Sequence, residues 1–221
     1  LGELDQTNTD AIMQWLSANG ALYWMYTVMR MIGRVAFPIF CFLLVEGFLH
    51  THDVKKYAMR LGLFALISEI PFDLAFSSKI LEFNYQNVFF TLFIGLLTMI
   101  AYRAVEEKEE WNQALKVILY ILIVAAGMAL AYFLKTDYAE KGVFCIMVLY
   151  IFRKKKMWQI IAGCASFIWE TPALFGFIPI AFYNGTRGWK MKYFFYIFYP
   201  AHLLILYLLC YFMGISGYSA V

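Results

Sequence analysis

The chain has 221 residues, 63% of them hydrophobic and 20% aromatic, with a formal net charge of +3. Soluble domains average about 45–50% apolar residues, so this chain lacks the polar surface to cover a globule and reads as a polytopic membrane protein. The modest charge excludes a strongly basic nucleic-acid-binding protein, and no nucleic-acid partner is expected.

Residues 1–21 are polar and mildly amphipathic around Ile12, Met13, Trp15 and Leu16, which predicts an extracytoplasmic loop or a short helix on the membrane surface. No initiator methionine, basic leader or small-residue cleavage site is visible at Leu1, so part of the natural N-terminus is expected to be missing. The first apolar block, 32–49, follows Arg30, contains Arg34 and ends near Glu46. A charge near the bilayer centre costs at least about 2.5–3.5 kcal/mol on insertion scales, so such groups usually face protein or a wet cavity. Arg30 and Arg34 are four apart, which puts both guanidiniums on one helical face as a fork pair suited to a phosphate or carboxylate. The blander reading is an ion pair of Arg34 with Glu46 or with a carboxylate of another span.

His50, Thr51, His52 and Asp53 close this block without the i, i+4 spacing of a helical metal site, so no metal is expected, and His50 reads as an interfacial donor for a cofactor phosphate or as plain helix-end placement. Block 57–76 carries Arg60 at its basic end and Ser68, Glu69, Pro71 and Asp73 further on. Glu69 and Asp73 are four apart on one face, and Pro71 frees a carbonyl there by breaking the helical ladder. These acids either serve a site or partner Arg30 and Arg34 structurally. Blocks 88–102, 115–134 and 143–152 are plain crossings.

Block 157–182 breaks the alternation of basic links, because a basic link follows it where one crossing would predict an outward one. Glu170, Thr171 and Pro172 interrupt its middle and Gly176 and Pro179 follow, which predicts a re-entrant hairpin; a single crossing is the alternative. The basic links Arg153 to Lys156 and Asn184 to Lys192, the latter with Arg187, Trp189 and Lys190, suit a polyphosphate, although topology and anionic lipid explain the same charges. Block 193–213 holds His202 just after Tyr199, Pro200 and Ala201. A histidine serves as a general base near neutral pH, and otherwise sits as a neutral imidazole bonded to a nearby carbonyl.

Lys55, Lys56, Arg60, Arg103, Lys108, Lys116, Arg153 to Lys156, Arg187, Lys190 and Lys192 mark the links expected in the cytoplasm. Cys41, Cys145, Cys164 and Cys210 each lie in an apolar block without metal spacing and read as small core residues. The fold class expected is all-α, a polytopic transmembrane helical bundle of about six crossings plus the hairpin, in one integral membrane domain over 1–221 with the bundle at 22–213. No Walker A loop, G-x-G-x-x-G or G-x-S-x-G occurs, so nucleotide hydrolysis and nucleophile-elbow chemistry have no motif here.

The chain resembles the TraX family of bacterial membrane proteins, named for acetylation of conjugative pilin. The resemblance rests on Gly33, Arg34, Phe37 and Pro38; Glu46, Gly47 and Phe48; Thr51, Tyr57, Arg60 and Leu61; Ser68 to Phe72; Asn87 to Leu92; Tyr183, Asn184, Gly185, Arg187 and Gly188; and Tyr199 to His202. It implies a membrane-embedded acetyltransferase of the bacterial cytoplasmic membrane that takes acetyl-CoA as co-substrate and acetylates an amine or hydroxyl on a pilin, glycan or lipid. Family members open with a hydrophobic helix bearing an Asp-His pair, and nothing before Leu22 matches it, so the resemblance implies a chain lacking that first helix.

On this reading Arg34, with Arg30 beside it, holds the thioester carbonyl or an anionic group of the acceptor. Glu46, Glu69 and Asp73 orient those arginines or the acceptor, and His202 is the candidate base. His50, Arg60, Arg153, Asn184, Arg187 and Lys190 are offered to the cofactor. The reading from another class is a non-enzymatic protein forming a solute pathway or a platform for assembling surface appendages, with the intramembrane charges lining a route.

Overall fold

The computed structural model describes residues 9–77, 79–186 and 192–212. The described residues form α1 (Thr9–His50), α2 (Val54–Ser77), α3 (Val88–Glu106), α4 (Gln113–Phe133), α5 (Ala139–Ile151), α6 (Lys156–Ser166), a 3-10 turn (Thr171–Gly176), α7 (Phe177–Phe182) and α8 (Lys192–Phe212). The only bridge among them joins Gln86 to Thr136. Among the described residues three stretches are long and apolar enough to cross a membrane: Tyr23–His50 within α1, Val88–Glu106 and Gln113–Phe133. The chain is therefore an all-helical membrane protein.

Residues 1–21 were expected to form a loop or a separate surface helix, but from Thr9 onward they are the start of α1. No proline or glycine pair interrupts the stretch before Pro38, so nothing stops the helix. At 1.5 Å per residue α1 is about 63 Å long, roughly twice the hydrocarbon thickness. Its last third is the packed part: Phe37, Cys41, Phe42, Leu44, Val45 and Phe48 are buried, whereas Trp24, Met29 and Ile32 face outward.

The core forms where α3 and α5 lie against one another, with α1, α2 and α4 around them. Leu96 and Met99 of α3 and Val143, Ile146 and Leu149 of α5 are fully or almost fully buried. Gly95 permits the approach, since a Cβ there would sit 2.5 Å from Ile146 Cδ1. Short polar residues set where helices begin: Asn87 caps α3 by accepting from Phe89 N at 2.9 Å, and Asn112 caps α4 by accepting from Ala114 N at 2.9 Å. Helix α8 packs on α2 through stacked Phe64 and Tyr196, with ring centroids 4.7 Å apart, and Tyr199 meets Phe89 of α3 at 4.9 Å.

The two ends of the bundle are distinct. At the basic end, Arg103 lies over Phe48, Phe48 meets Tyr150, and Arg153 pairs with Glu106. At the distal end the 78–87 and 134–138 links are stitched together, Gln86 N donating to Lys135 O at 3.0 Å and Asp137 N to Gln86 O at 2.8 Å.

Helix α6, the 3-10 turn and α7 form a hairpin that leaves the basic end and returns to it. Lys156 Nζ donates to Tyr183 O, which brings the two ends of the segment together. Its tip reaches the distal end, where Trp169 meets Tyr138 with ring centroids 6.0 Å apart. The hairpin packs on α1 through Gly176, where a Cβ would sit 2.7 Å from Val35 O and 2.6 Å from Pro38 Cγ. Backbone cannot yield as a flexible side chain does, and overpacking usually costs about 1–3 kcal/mol. Gly176→Ala is therefore expected to lower the thermal unfolding midpoint by about 2–8 °C. Gly33→Ala is the control, because no atom lies within 4 Å of the added Cβ. Equal midpoints for the two variants would show that the Gly176 contact does not hold the hairpin.

Candidate functional site

The hairpin tip supplies the partner of Arg34. Arg34 Nη1 donates to Glu170 Oε2 at 3.1 Å, and the guanidinium lies 5.9 Å from the Tyr138 ring centroid. Of the two ion-pair partners the sequence offered Arg34, the carboxylate of another segment is the one used; Glu46 sits elsewhere. Tyr138 is sandwiched by Phe37, with stacked centroids 3.6 Å apart, and by the edge of Trp169. Its backbone lies in the left-handed region at φ 64°, as do Lys135 at 51° and Ala139 at 41°. Non-glycine residues there cost of order 1–3 kcal/mol each and persist only where surrounding contacts impose them. The strain fixes the Tyr138 ring under the guanidinium.

Asp137, in the same link, accepts from the Tyr85 hydroxyl at 2.6 Å. Burial pushes the Asp137 carboxyl above its ordinary range, while the Tyr85 hydroxyl and the Arg34 charge pull it back. Thr91 Oγ1 donates to Asp137 O and lies 3.0 Å from Thr136 Oγ1. Tyr199 of α8 lies within electrostatic reach of Asp137, Glu69 and Tyr85. Glu170, Arg34, Tyr138, Asp137, Tyr85 and Thr91 thus form a polar layer in the distal half of the bundle.

Glu69 and Asp73 do not partner the arginines. Glu69 Oε2 is held by Asn87 Nδ2 and by Asn87 N at 3.4 Å, and Asn87 Nδ2 also donates to Ala65 O at 2.8 Å. Glu69 Oε1 and Ser68 Oγ are buried with no hydrogen-bond partner among the described residues. Asp73 Oδ2 accepts from Glu82 N at 2.8 Å and secures the 78–87 link. His202 packs beside Tyr199, with centroids 5.6 Å apart, and its Nδ1 donates to Phe198 O at 2.9 Å. In the neutral ring that bond leaves the Nε2 lone pair free to accept a proton.

Arg30 shares a groove with Arg34: an open cavity of about 290 Å³ lined by Tyr23, Tyr26, Thr27, Arg30, Met31, Arg34, Glu170 and Pro172. Both arginines lie on one helical face, as their spacing predicts.

The residues offered to a cofactor gather only in part. His50 Nδ1 lies 2.9 Å from Glu46 O and 3.8 Å from Glu46 Oε2; Glu46 in turn meets the Tyr183 side chain, and the Lys156 ammonium donates to Tyr183 O. Arg60 Nε is buried without a hydrogen-bond partner among the described residues, with Tyr57 and Tyr196 close by. Asn184 Oδ1 accepts from Thr186 N at 3.0 Å and Thr186 Oγ1 at 2.6 Å, so it shapes its own turn. Arg153 is already occupied, donating to both Glu106 oxygens at 2.8 and 2.6 Å over the Tyr150 ring. Arg187 and Lys190 lie outside the described residues.

Sequence reading counted Glu170 and Asn87 among the polar residues of the apolar blocks without giving either a partner, and passed over Tyr85, Asp137 and Tyr138. Asp137 beside a link aromatic was the available signal, but its partners Thr91 and Tyr85 lie 46 and 52 positions away.

No solved structure matches the chain. It is 27% identical over 208 residues, 83% of each chain, to a Dichelobacter nodosus protein named "Probable fimbrial assembly protein FimC, serogroup H1". The family model described as TraX protein matches residues 18–210, a span that takes in Arg30, Arg34, Glu170 and the whole polar layer, and the chain belongs to the TraX family.

Proposed function

We propose that this protein is a membrane-embedded acetyltransferase, moving an acetyl group from acetyl-CoA to an amine or hydroxyl acceptor on a pilin, glycan or lipid. The observation that carries the reading is Arg34, held by Glu170 and the strained Tyr138 at the edge of a polar layer inside an apolar bundle. Acyl transfer needs a preorganised donor for the oxygen that becomes negative when the acceptor attacks the thioester carbonyl, and that electrostatic contribution is usually the largest.

In the reaction the acceptor N or O bonds to the carbonyl carbon, the C–S bond breaks, and the acceptor's proton passes through a base to the departing thiolate. His202 Nε2 and Glu69 Oε1, neither with a hydrogen-bond partner among the described residues, are the candidates for that base. Arg60, His50 and Lys156 at the basic end are offered as donors to the cofactor's phosphates, on the side where the positive-inside rule puts the cytoplasm.

Membranes carrying the protein, supplied with labelled acetyl-CoA and a mixture of membrane and pilin acceptors, are expected to release CoA and transfer label at rates above control membranes. Absence of both CoA binding and label transfer would overturn the reading. The relative's name favours a second reading, in which the protein is a non-enzymatic component of fimbrial assembly; it requires no CoA binding, so the same experiment separates the two.

A further inference from the structure

The groove between Arg30, Arg34 and Glu170 carries a charge pattern that the acetyl-transfer reading does not use up. Arg34 is neutralised by Glu170 at 3.1 Å, whereas among the described residues Arg30 donates only to the Tyr26 hydroxyl at 2.9 Å and has no carboxylate partner. Two guanidiniums and one carboxylate leave one net positive charge in the lined space. A cavity of this polarity on a helix otherwise clad in exposed Met29, Met31 and Ile32 is desolvated on one flank by lipid.

Depth supports the same conclusion. Tyr23, Trp24 and Tyr26 are exposed in the turns before Arg30, and aromatic residues of this kind concentrate at the level of lipid headgroups. Arg30 is six residues beyond Trp24, about 9 Å along the axis. Helical side chains tilt toward the N-terminus, and the bond to Tyr26, one turn back, shows Arg30 reaching that way. Its guanidinium is thus raised toward the depth at which lipid phosphates lie, with Arg34 and Pro172 closing the protein side of the groove.

We propose that this groove is a binding site for the phosphodiester of an anionic membrane phospholipid, held in a fork by Arg30 and steadied by Arg34. A phosphodiester carries one negative charge, which matches the single uncompensated guanidinium; a phosphomonoester, with up to two, exceeds it. Arginine suits the role because its planar fork bonds two phosphate oxygens at once. The site does not depend on acetyl transfer, and a TraX-family protein without that activity would hold the same lipid.

The test is native mass spectrometry of the detergent-purified protein titrated with phosphatidylglycerol, phosphatidic acid, diacylglycerol or soluble diethyl phosphate. Phosphatidylglycerol is expected to bind at least about 10-fold tighter than diacylglycerol, and Arg30→Gln, at an exposed position, to remove most of that preference. Glu170→Gln raises the groove's charge by one and is expected to shift preference from phosphatidylglycerol toward phosphatidic acid. Unfolding midpoints measured alongside establish that each variant is folded. Phosphatidylglycerol binding unchanged in Arg30→Gln, or no shift in Glu170→Gln, would overturn the proposal. So would displacement of the lipid by diethyl phosphate at equal concentration, which would make the ligand a soluble phosphodiester.

Discussion

Replacing Arg34 by glutamine is expected to lower acetyl transfer by about 100-fold or more, the usual cost of removing one donor from an oxyanion site. Lost packing alone would also lower activity, so the variant needs a partner. Arg34→Gln leaves Glu170, a half-buried carboxylate, without its ion pair, and an uncompensated charge in such a setting destabilises. The double variant Arg34→Gln with Glu170→Gln removes both charges. If Arg34 only ties the hairpin to α1, the double variant regains stability and activity together. If Arg34 stabilises charge in the reaction, stability returns and turnover does not. Glutamine retains a hydrogen-bond donor but not the charge, so Arg34→Lys, with the charge but no fork, reports which property matters. Wild-type kcat/KM in Arg34→Gln would remove Arg34 from the mechanism.

Asn87→Ala is expected to be the most destabilising single change at the distal end, by about 2–4 kcal/mol, combining a lost helix cap with lost buried hydrogen bonds. Asn87 is fully buried and does three jobs: Oδ1 caps α3 through Phe89 N, and Nδ2 serves both Ala65 O and Glu69 Oε2. Alanine would remove the side-chain bond to the Ala65 carbonyl and leave Glu69 with only the long bond from the residue 87 amide. Asn87→Asp separates the jobs, because it keeps the cap acceptor and places a second acid against Glu69. It is expected to unfold at least as easily as Asn87→Ala, although aspartate is as good a cap as asparagine. Thermal unfolding in detergent measures both. Midpoints within 1–2 °C of wild type, a shift of well under about 1 kcal/mol, would show that Glu69 does not depend on Asn87.

Several features were legible before any coordinates. Thr171 and Pro172 after Glu170 predicted a broken block, and the basic link after it required a return to the same end; Lys156 against Tyr183 shows that return. The i, i+4 spacing of Arg30 and Arg34 placed both on one groove, because helical periodicity is a local property. Spacing could not say which acid meets Arg34, since Glu170 lies 136 positions away and Glu46, Glu69 and Asp73 offered the same charge. Nor could it show that Glu69 faces Asn87, or that Arg153 is taken by Glu106.

The sequence by itself determined the apolar, helical, membrane character of this protein, the charge asymmetry of its ends and the family to which it belongs. Those properties depend on composition and on neighbours within one or two turns, where hydrophobic transfer and backbone satisfaction leave little choice. Only the tertiary structure decided that Arg34 answers to Glu170, that Tyr138 of the 134–138 link lies beneath it, and that Asp137 meets Tyr85. Inside an apolar bundle each buried charge must find a partner, but many partners are chemically equivalent. The packing of α1 against the hairpin and α5 selects among them by bringing a few within reach and holding the rest apart.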